Sequence, residues 1–256
     1  MIRMLRLRRA IGDLLYLLDH GYPRESAVNF VSNHYRLPRE QRHLLARCVF
    51  SKREAGEHRR KLVRMRGVRG RRLGVDGYNV LITIESLLTG KTVVLCNDGV
   101  LRDLRAIFGK YRVRPATLRA VSALVQLLER AGPREVIVFF DKQVSHSGEL
   151  AADVRARLKS AGLRGNSLAV AGVDPRLRGF EVVASSDRAV IKRARAVWDI
   201  PQELLRLKGV PSPKVVRVTG SGINLFRRKP SFAGRGRGPR SASVSSDRRR
   251  RLSSRI

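Results

Sequence analysis

A chain of 256 residues with 54 Lys and Arg against 21 Asp and Glu carries a formal charge of +33, more than internal ion pairs can neutralise. Its hydrophobic content of 43% excludes wholesale disorder, and its longest apolar runs fall short of a membrane span. The excess charge predicts a polyanionic partner, with RNA the first candidate, because each neutralised phosphate releases a condensed counterion and arginine grips phosphate bidentately.

The opening stretch, MIRMLRLRRAIGDLLYLL, is interrupted by Arg3, Arg6, Arg8, Arg9 and Asp13, so it lacks the clean apolar core of a signal peptide, and no membrane partner is expected. Residues 1–50 read as a small helical domain. Ile11, Leu14, Leu15, Leu17 and Leu18 share one helical face that Gly21 and Pro23 terminate; Ala27, Val28, Phe30 and Val31 form a second stripe; Pro38 opens a third helix. Two roles fit it, a nucleic-acid-binding attachment or a packing module for the next domain. Residues 51–72 form a basic connector, helical as far as Met65, in which Arg69, Arg71 and Arg72 are candidates for phosphate contact. Cys48 and Cys96, the only cysteines, have no partner at metal-ligand or redox-motif spacing, which speaks against structural zinc and for a cytoplasmic protein.

From Leu73 to Phe226 strands and helices alternate. RLGVD is a strand, NVLITIESLL a helix, TVVLC a strand, GVLRDLRAIFGKY a helix, and PATLRAVSALVQLLERAG a helix bounded by Pro115 and Gly132. EVIVFFD is a buried strand, GELAADVRARLKSAG a helix, FEVVASSD a strand, DRAVIKRARAV a helix and PKVVRVTG a last strand. This order predicts an α/β domain over 73–226 with a mainly parallel sheet flanked by helices. Residues 227–256 lack hydrophobic periodicity and carry eleven Lys/Arg and one Asp, the composition of a disordered basic tail; Arg235 and Arg237 lie in its GRGRG segment.

Three of the apolar strands end on an aspartate: Asp76, Asp141 and Asp187, which are 65 and 46 residues apart. A parallel sheet gathers the carboxyl ends of its strands along one edge, so topology would bring these acids together. Any one of them alone is a good helix cap, but three recurrences define a candidate cluster. Neighbouring carboxylates repel unless a cation neutralises them, and oxygen ligands without His or Cys suit Mg²⁺ or Mn²⁺. Gly77 permits a tight strand-to-helix turn. Asn79 can hold a carboxylate or cap a helix, and Ser185 and Ser186 are small donors beside Asp187.

VDGYNV, VIVFFD and VVASSDRAVI together resemble the PIN-like and NYN ribonuclease superfamily. DLLYLLDHGYPRESAV and LCNDGVLRDL extend the resemblance, over roughly residues 10–205, to an uncharacterised archaeal family that joins a small helical domain to a PIN-like domain. The resemblance implies a PIN-like fold and metal-dependent hydrolysis of RNA phosphodiesters, with Asp76, Asp141 and Asp187 as ligands and Asp98 or Asp103 as the helical acid of the superfamily. Asp103 or Glu149 would complete the ligation or position water, with Asn79 and Ser186 behind the ligands. Arg102 and Arg105 flank this edge in sequence and are candidates for holding the RNA backbone; His146 is either a proton donor or an ordinary loop histidine. A further acid that such nucleases often carry has only Asp174 to match it. Proteins of this kind often form homodimers. The competing expectation is a non-catalytic RNA-binding or ribosome-associated protein on the same scaffold, for structured or ribosomal RNA.

Overall fold

Short Val- and Phe-rich segments pair into a fully parallel sheet, and the first of its strands comes from what the sequence suggests is a connector. The computed structural model describes residues 2–105, 111–207, 214–219 and 222–226; the expected tail, with Arg235 and Arg237, lies outside the described residues. Helices α1 (Ile2–Asp19), α2 (Arg24–His34) and α3 (Arg39–Cys48) are followed by α4 (Lys52–Lys61), whose Ser51 cap accepts a bond from the Glu54 N–H at 3.2 Å. Strand β1 (Leu62–Val63) follows directly. Beyond a short turn come β2 (Arg72–Asp76), α5 (Gly77–Leu88), β3 (Val93–Leu95), β4 (Leu101–Asp103), α6 (Pro115–Ala131) and β5 (Glu135–Asp141). The chain continues through α7 (Ser147–Ser160), β6 (Gly165–Val170), α8 (Val173–Arg176), β7 (Val182–Ala184), α9 (Arg188–Arg193), β8 (Val197–Trp198), α10 (Ile200–Arg206), β9 (Val215–Thr219) and β10 (Gly222–Phe226).

The six-stranded sheet has the order β1-β8-β7-β2-β5-β6, all neighbours parallel. From β2 the chain builds outward through β5 to β6, then returns to β2's other side for β7 and β8. The order therefore reverses between β2 and β7, and such a switch opens a crevice at the strands' carboxyl ends. Helices α5, α6, α7 and α10 bury the main core on one face around Val75, Leu81, Leu124, Phe140 and Trp198. The other face holds a smaller cluster built from Phe139, Leu177, Val183, Val190 and Ile191.

A second sheet, β10-β9-β3-β4, packs its outer side on α1–α3 through Val94, Cys96, Val218 and Ile223. The N-terminal helices thus share one core with that sheet. Helix α5 lies between the two sheets and is buried almost all round, which explains its nearly continuous apolar sequence. Cys48 and Cys96 are both buried free thiols; the Cys96 thiol donates to the Val94 carbonyl, and burial first, then its neighbour Cys48, pushes it up.

Residues 101–103 differ from the helix expected of GVLRDLRAIFGKY. They pair antiparallel with β3, Val93 opposite Asp103 and Leu95 opposite Leu101. Asn-Asp-Gly at 97–99, with Gly99 at φ +85°, makes the hairpin turn. The expected connector differs as well: α4 packs on α9 and β1 is the sheet's edge strand.

Gly77 sits where β2 turns into α5, and a Cβ there would run into the buried ring of Phe140. Gly77→Ala should therefore destabilise the protein by about 1–3 kcal/mol through overpacking, read as a lower urea midpoint.

Candidate functional site

Parallel register places three aspartates at the ends of three adjacent strands. Asp76 ends β2 opposite Phe139, Asp141 lies two residues beyond Phe139 on β5, and Asp187 lies three beyond Ala184, the partner of Val75 on β7. Asp76 and Asp187 also cap the helices that follow. Asp76 accepts from the Asn79 N–H at 3.4 Å, and Asp187 accepts from the Ala189 and Val190 N–H groups at 2.7 and 3.1 Å. Capping and cluster membership are compatible, because each cap engages Oδ1 alone and leaves lone pairs on Oδ2.

The crevice between β2 and β7 is bridged by hydrogen bonds. Ser185 Oγ donates to Asp76 Oδ2 at 2.9 Å and accepts from the Asp187 N–H at 3.1 Å. Ser186 donates twice to Asn79 Oδ1, from its N–H and its Oγ, both at 2.8 Å. Burial pushes the Asp76 carboxyl up to about 7; bonds from Ser185 and Asn79 oppose the rise, and the charges of Asp174 and Asp187 add to it. Asp174 is itself raised, first by burial and then by Asp187, against Arg193 and Arg178. The acids that act on one another are thus Asp76, Asp187 and Asp174, the last carried by α8. Asp141 is half-buried, accepts from the Gln143 N–H at 2.9 Å, and spends its charge on Tyr78, whose hydroxyl burial and Asp141 push up to about 12. Among the described residues, no group of three or more His, Cys, Asp or Glu side chains is placed to hold a metal ion on protein ligands alone.

Several other candidates stand elsewhere. Asp98 lies in the β3–β4 turn, not on a helix, and accepts from both Arg102 Nη atoms at 2.8 and 2.7 Å, from the Val100 N–H at 3.1 Å, and pairs with His58 Nδ1 at 2.9 Å. Burial alone would raise its carboxyl, but the Arg102 charge and the bonds from His58, Arg102 and Val100 hold it at about 2. Arg102 is only 2% exposed and spends its Nε on the Ser186 carbonyl at 2.9 Å, so it is unavailable to RNA. Asp103, on β4, is buried with Ser86 and Arg105, and Arg105 is engaged by Asp103 and the Ile82 carbonyl. The buried acid on a central helix is Glu85 of α5, bonded by Tyr111 and Thr117, but nine residues of helix, about 14 Å, separate it from Asp76. Glu149 is exposed at the start of α7 and pairs with His146 at 3.0 Å. Arg69 and Arg71 precede β2 and Arg72 opens it, at the amino edge of the sheet, the far end of that strand from Asp76. Arg71 there bonds the Gly67 and Glu181 carbonyls and Arg72 pairs with Glu135 at 2.8 Å.

The geometry defines an α/β protein whose polar site lies at a topological switch point. The domain of unknown function DUF5616 matches residues 65–203, and the protein of unknown function family DUF434 matches residues 6–61. The uncharacterized protein MJ0935 of Methanocaldococcus jannaschii is 37% identical over 186 residues, covering 73% of this chain and 89% of the relative. The chain belongs to the DUF5616 family, here preceded by a DUF434 segment. The boundary between the two matches falls at β1, the strand that ties the helical segment into the sheet.

Two measurements check the electrostatics. Asp76 has a folded pKa of about 7, above the ~3.9 of an unfolded aspartate, so folding takes up a proton between these values and stability present below the lower one is lost as pH rises through the upper. In chelator, Asp76→Asn should remove that loss and be more stable than wild type at pH 8, on the order of a few kcal/mol by urea denaturation; a less stable variant at pH 8 would contradict the assignment. Asp98→Ala strands a buried guanidinium and should cost about 3–5 kcal/mol by the same measurement.

Proposed function

We propose that this protein is a metal-dependent RNA endonuclease on a PIN-like scaffold. The observation that carries the reading is the meeting of Asp76 and Asp187 across the β2/β7 switch point, bridged by Ser185 and flanked by Asp174. Ligand sites of open α/β sheets lie at such crevices. The donors are hard oxygens, which suits Mg²⁺ or Mn²⁺. Because Mg²⁺ keeps several waters and takes only one or two carboxylates, Asp76 and Asp187, with Asp174 or Asp141 beside them, fit a hydrated ion without a closed protein cage. A bound divalent cation would supply Lewis acidity toward a phosphoryl oxygen and neutralise charge building on it.

The chain's own residues have definable tasks. Ser185 holds one oxygen of Asp76 and the Asn79 N–H holds the other, which together fix the carboxylate's rotamer. Asn79, held by two bonds from Ser186, locks the β7–α9 turn against the start of α5, which keeps the two carboxylates at a constant separation. The net charge of +33 supports a polyanionic substrate. One observation favours the second reading, a non-catalytic RNA-binding protein on this scaffold: no three ligating groups converge among the described residues.

The deciding experiment incubates labelled structured and single-stranded RNA with the wild type and with Asp76→Asn/Asp187→Asn, in Mg²⁺, in Mn²⁺ and in chelator. The wild type should cleave only with metal, and the double variant should be slower by more than the ~100-fold that loss of an outer-shell partner can cost. Salt-sensitive binding of equal strength by both proteins, with no cleavage by either, would establish the second reading.

A further inference from the structure

Beside the carboxylates, on the sheet face covered by α8 and α9, lies a cavity of about 240 Å³. Leu177 and Phe180 form its apolar floor, and Asp174, Arg178, Arg193 and Arg195 line it. The three arginines are exposed, and among the described residues none of their guanidiniums has a hydrogen bond or ion pair to a protein acceptor. Arg188, at the start of α9, is by contrast tied to Glu54, and Arg102 and Arg105 are consumed internally. Asp174 joins the cavity to the candidate site, since the same carboxyl feels Arg193 and Arg178 on one side and Asp187 on the other.

Three arginines against one carboxylate, Asp174, leave the lining of this cavity with a surplus of positive charge, which a bound anion would offset. Guanidinium forks match phosphate oxygens bidentately, so phosphate is the anion they fit best. The cavity is smaller than the ~300 Å³ at which small-molecule pockets begin, which suits a phosphate group better than a whole nucleotide. We propose that Arg178, Arg193 and Arg195 form a cleft on the α8/α9 face of the sheet that binds a backbone phosphodiester of single-stranded RNA, further along the strand from the phosphate presented to Asp76 and Asp187. This rests on the nuclease reading for its placement of the scissile phosphate. It assigns RNA contact to Arg193, the last residue of α9, and to Arg178 and Arg195 in the segments that lead into β7 and β8, in place of Arg69, Arg71 and Arg72 around the start of β2.

The test measures binding of a fluorescent single-stranded RNA oligonucleotide by anisotropy across a salt series, in chelator so that no cleavage intervenes. The full chain is compared with Arg178→Ala/Arg193→Ala/Arg195→Ala and with Arg69→Ala/Arg130→Ala/Arg164→Ala. The second triple removes the same charge from exposed arginines at the amino edge, and both triples keep the basic tail. All six side chains are exposed, so thermal unfolding should be unchanged and serves as the folding control. The cleft triple alone should weaken binding at least about tenfold and flatten the slope of log K against log salt by about 0.7 for each phosphate it no longer neutralises. Equal losses in the two triples, or no loss in either, would overturn the cleft and assign binding to net charge or the tail. The metal-dependent cleavage assay separates the two ideas. Selective weakening of the cleft triple by a protein that never cleaves sinks the nuclease and keeps the cleft; cleavage with both triples binding alike does the reverse.

Discussion

An arginine side chain buried to 2% exposure organises this molecule. Removing the Arg102 guanidinium from water costs several kcal/mol, and only a bidentate carboxylate with further bonds can offset it. Asp98 supplies the carboxylate, His58 of α4 completes the acid's shell, the ring of Phe50 lies 4.8 Å from the guanidinium carbon, and the Ser186 carbonyl takes the Nε. One buried charge pair therefore joins the segment after α3, helix α4, the β3–β4 hairpin and the loop that follows β7. Breaking it from either side leaves an unpaired ion in the interior, so these parts are held in one arrangement.

That arrangement reaches the candidate site in two steps. Arg102 fixes the Ser186 carbonyl, and the N–H and hydroxyl of the same serine fix Asn79. The preceding serine holds Asp76 and supports the Asp187 N–H. A second acid works in parallel: Asp199 caps α10 and accepts from the Leu101 N–H at 2.7 Å, while burial pushes its carboxyl up to about 6. The hairpin of the second sheet is thus clamped to the main sheet from two sides. The N-terminal helices, which pack on that second sheet, belong to the support of the site even though, among the described residues, none of their side chains hydrogen-bonds Asp76.

What was legible in the sequence was what local pattern encodes. VIVFFD and RLGVD are too apolar for any place but a buried strand, Pro115 and Gly132 bracket α6, and the terminal aspartates of β2 and β5 and the Asp187 that follows β7 do fall at adjacent carboxyl ends. The failures have physical causes. Asp98 and Arg102 stand at i and i+4, the spacing of an exposed helical pair, and the Asn-Asp-Gly turn overrides that spacing over residues 97–103. Two-residue strands such as β1 and β8 carry no periodicity at all. Asp174 sits in a short Gly- and Pro-bearing stretch, folded as the single turn α8, with no pattern to place it, and only the fold reveals that its charge meets that of Asp76 and Asp187. Asp141 is the converse, right in topology but electrostatically turned toward Tyr78.

The contrast between an acidic crevice and a basic chain follows from dielectric rather than from counting charges. Exposed arginines are screened within about 10 Å at moderate salt, so a surplus spread over the surface cannot neutralise a carboxylate at 8% exposure. Asp76 responds to its immediate surroundings: a serine hydroxyl, one N–H and two further acids. The same surplus acts undiminished on a polyanion that lies along the surface and meets many arginines at once. On the proposed function, a strand of RNA and a divalent cation would answer to two different fields of one protein, the first to the summed charge outside and the second to the local acid cluster, and the β2/β7 crevice is where the two fields adjoin.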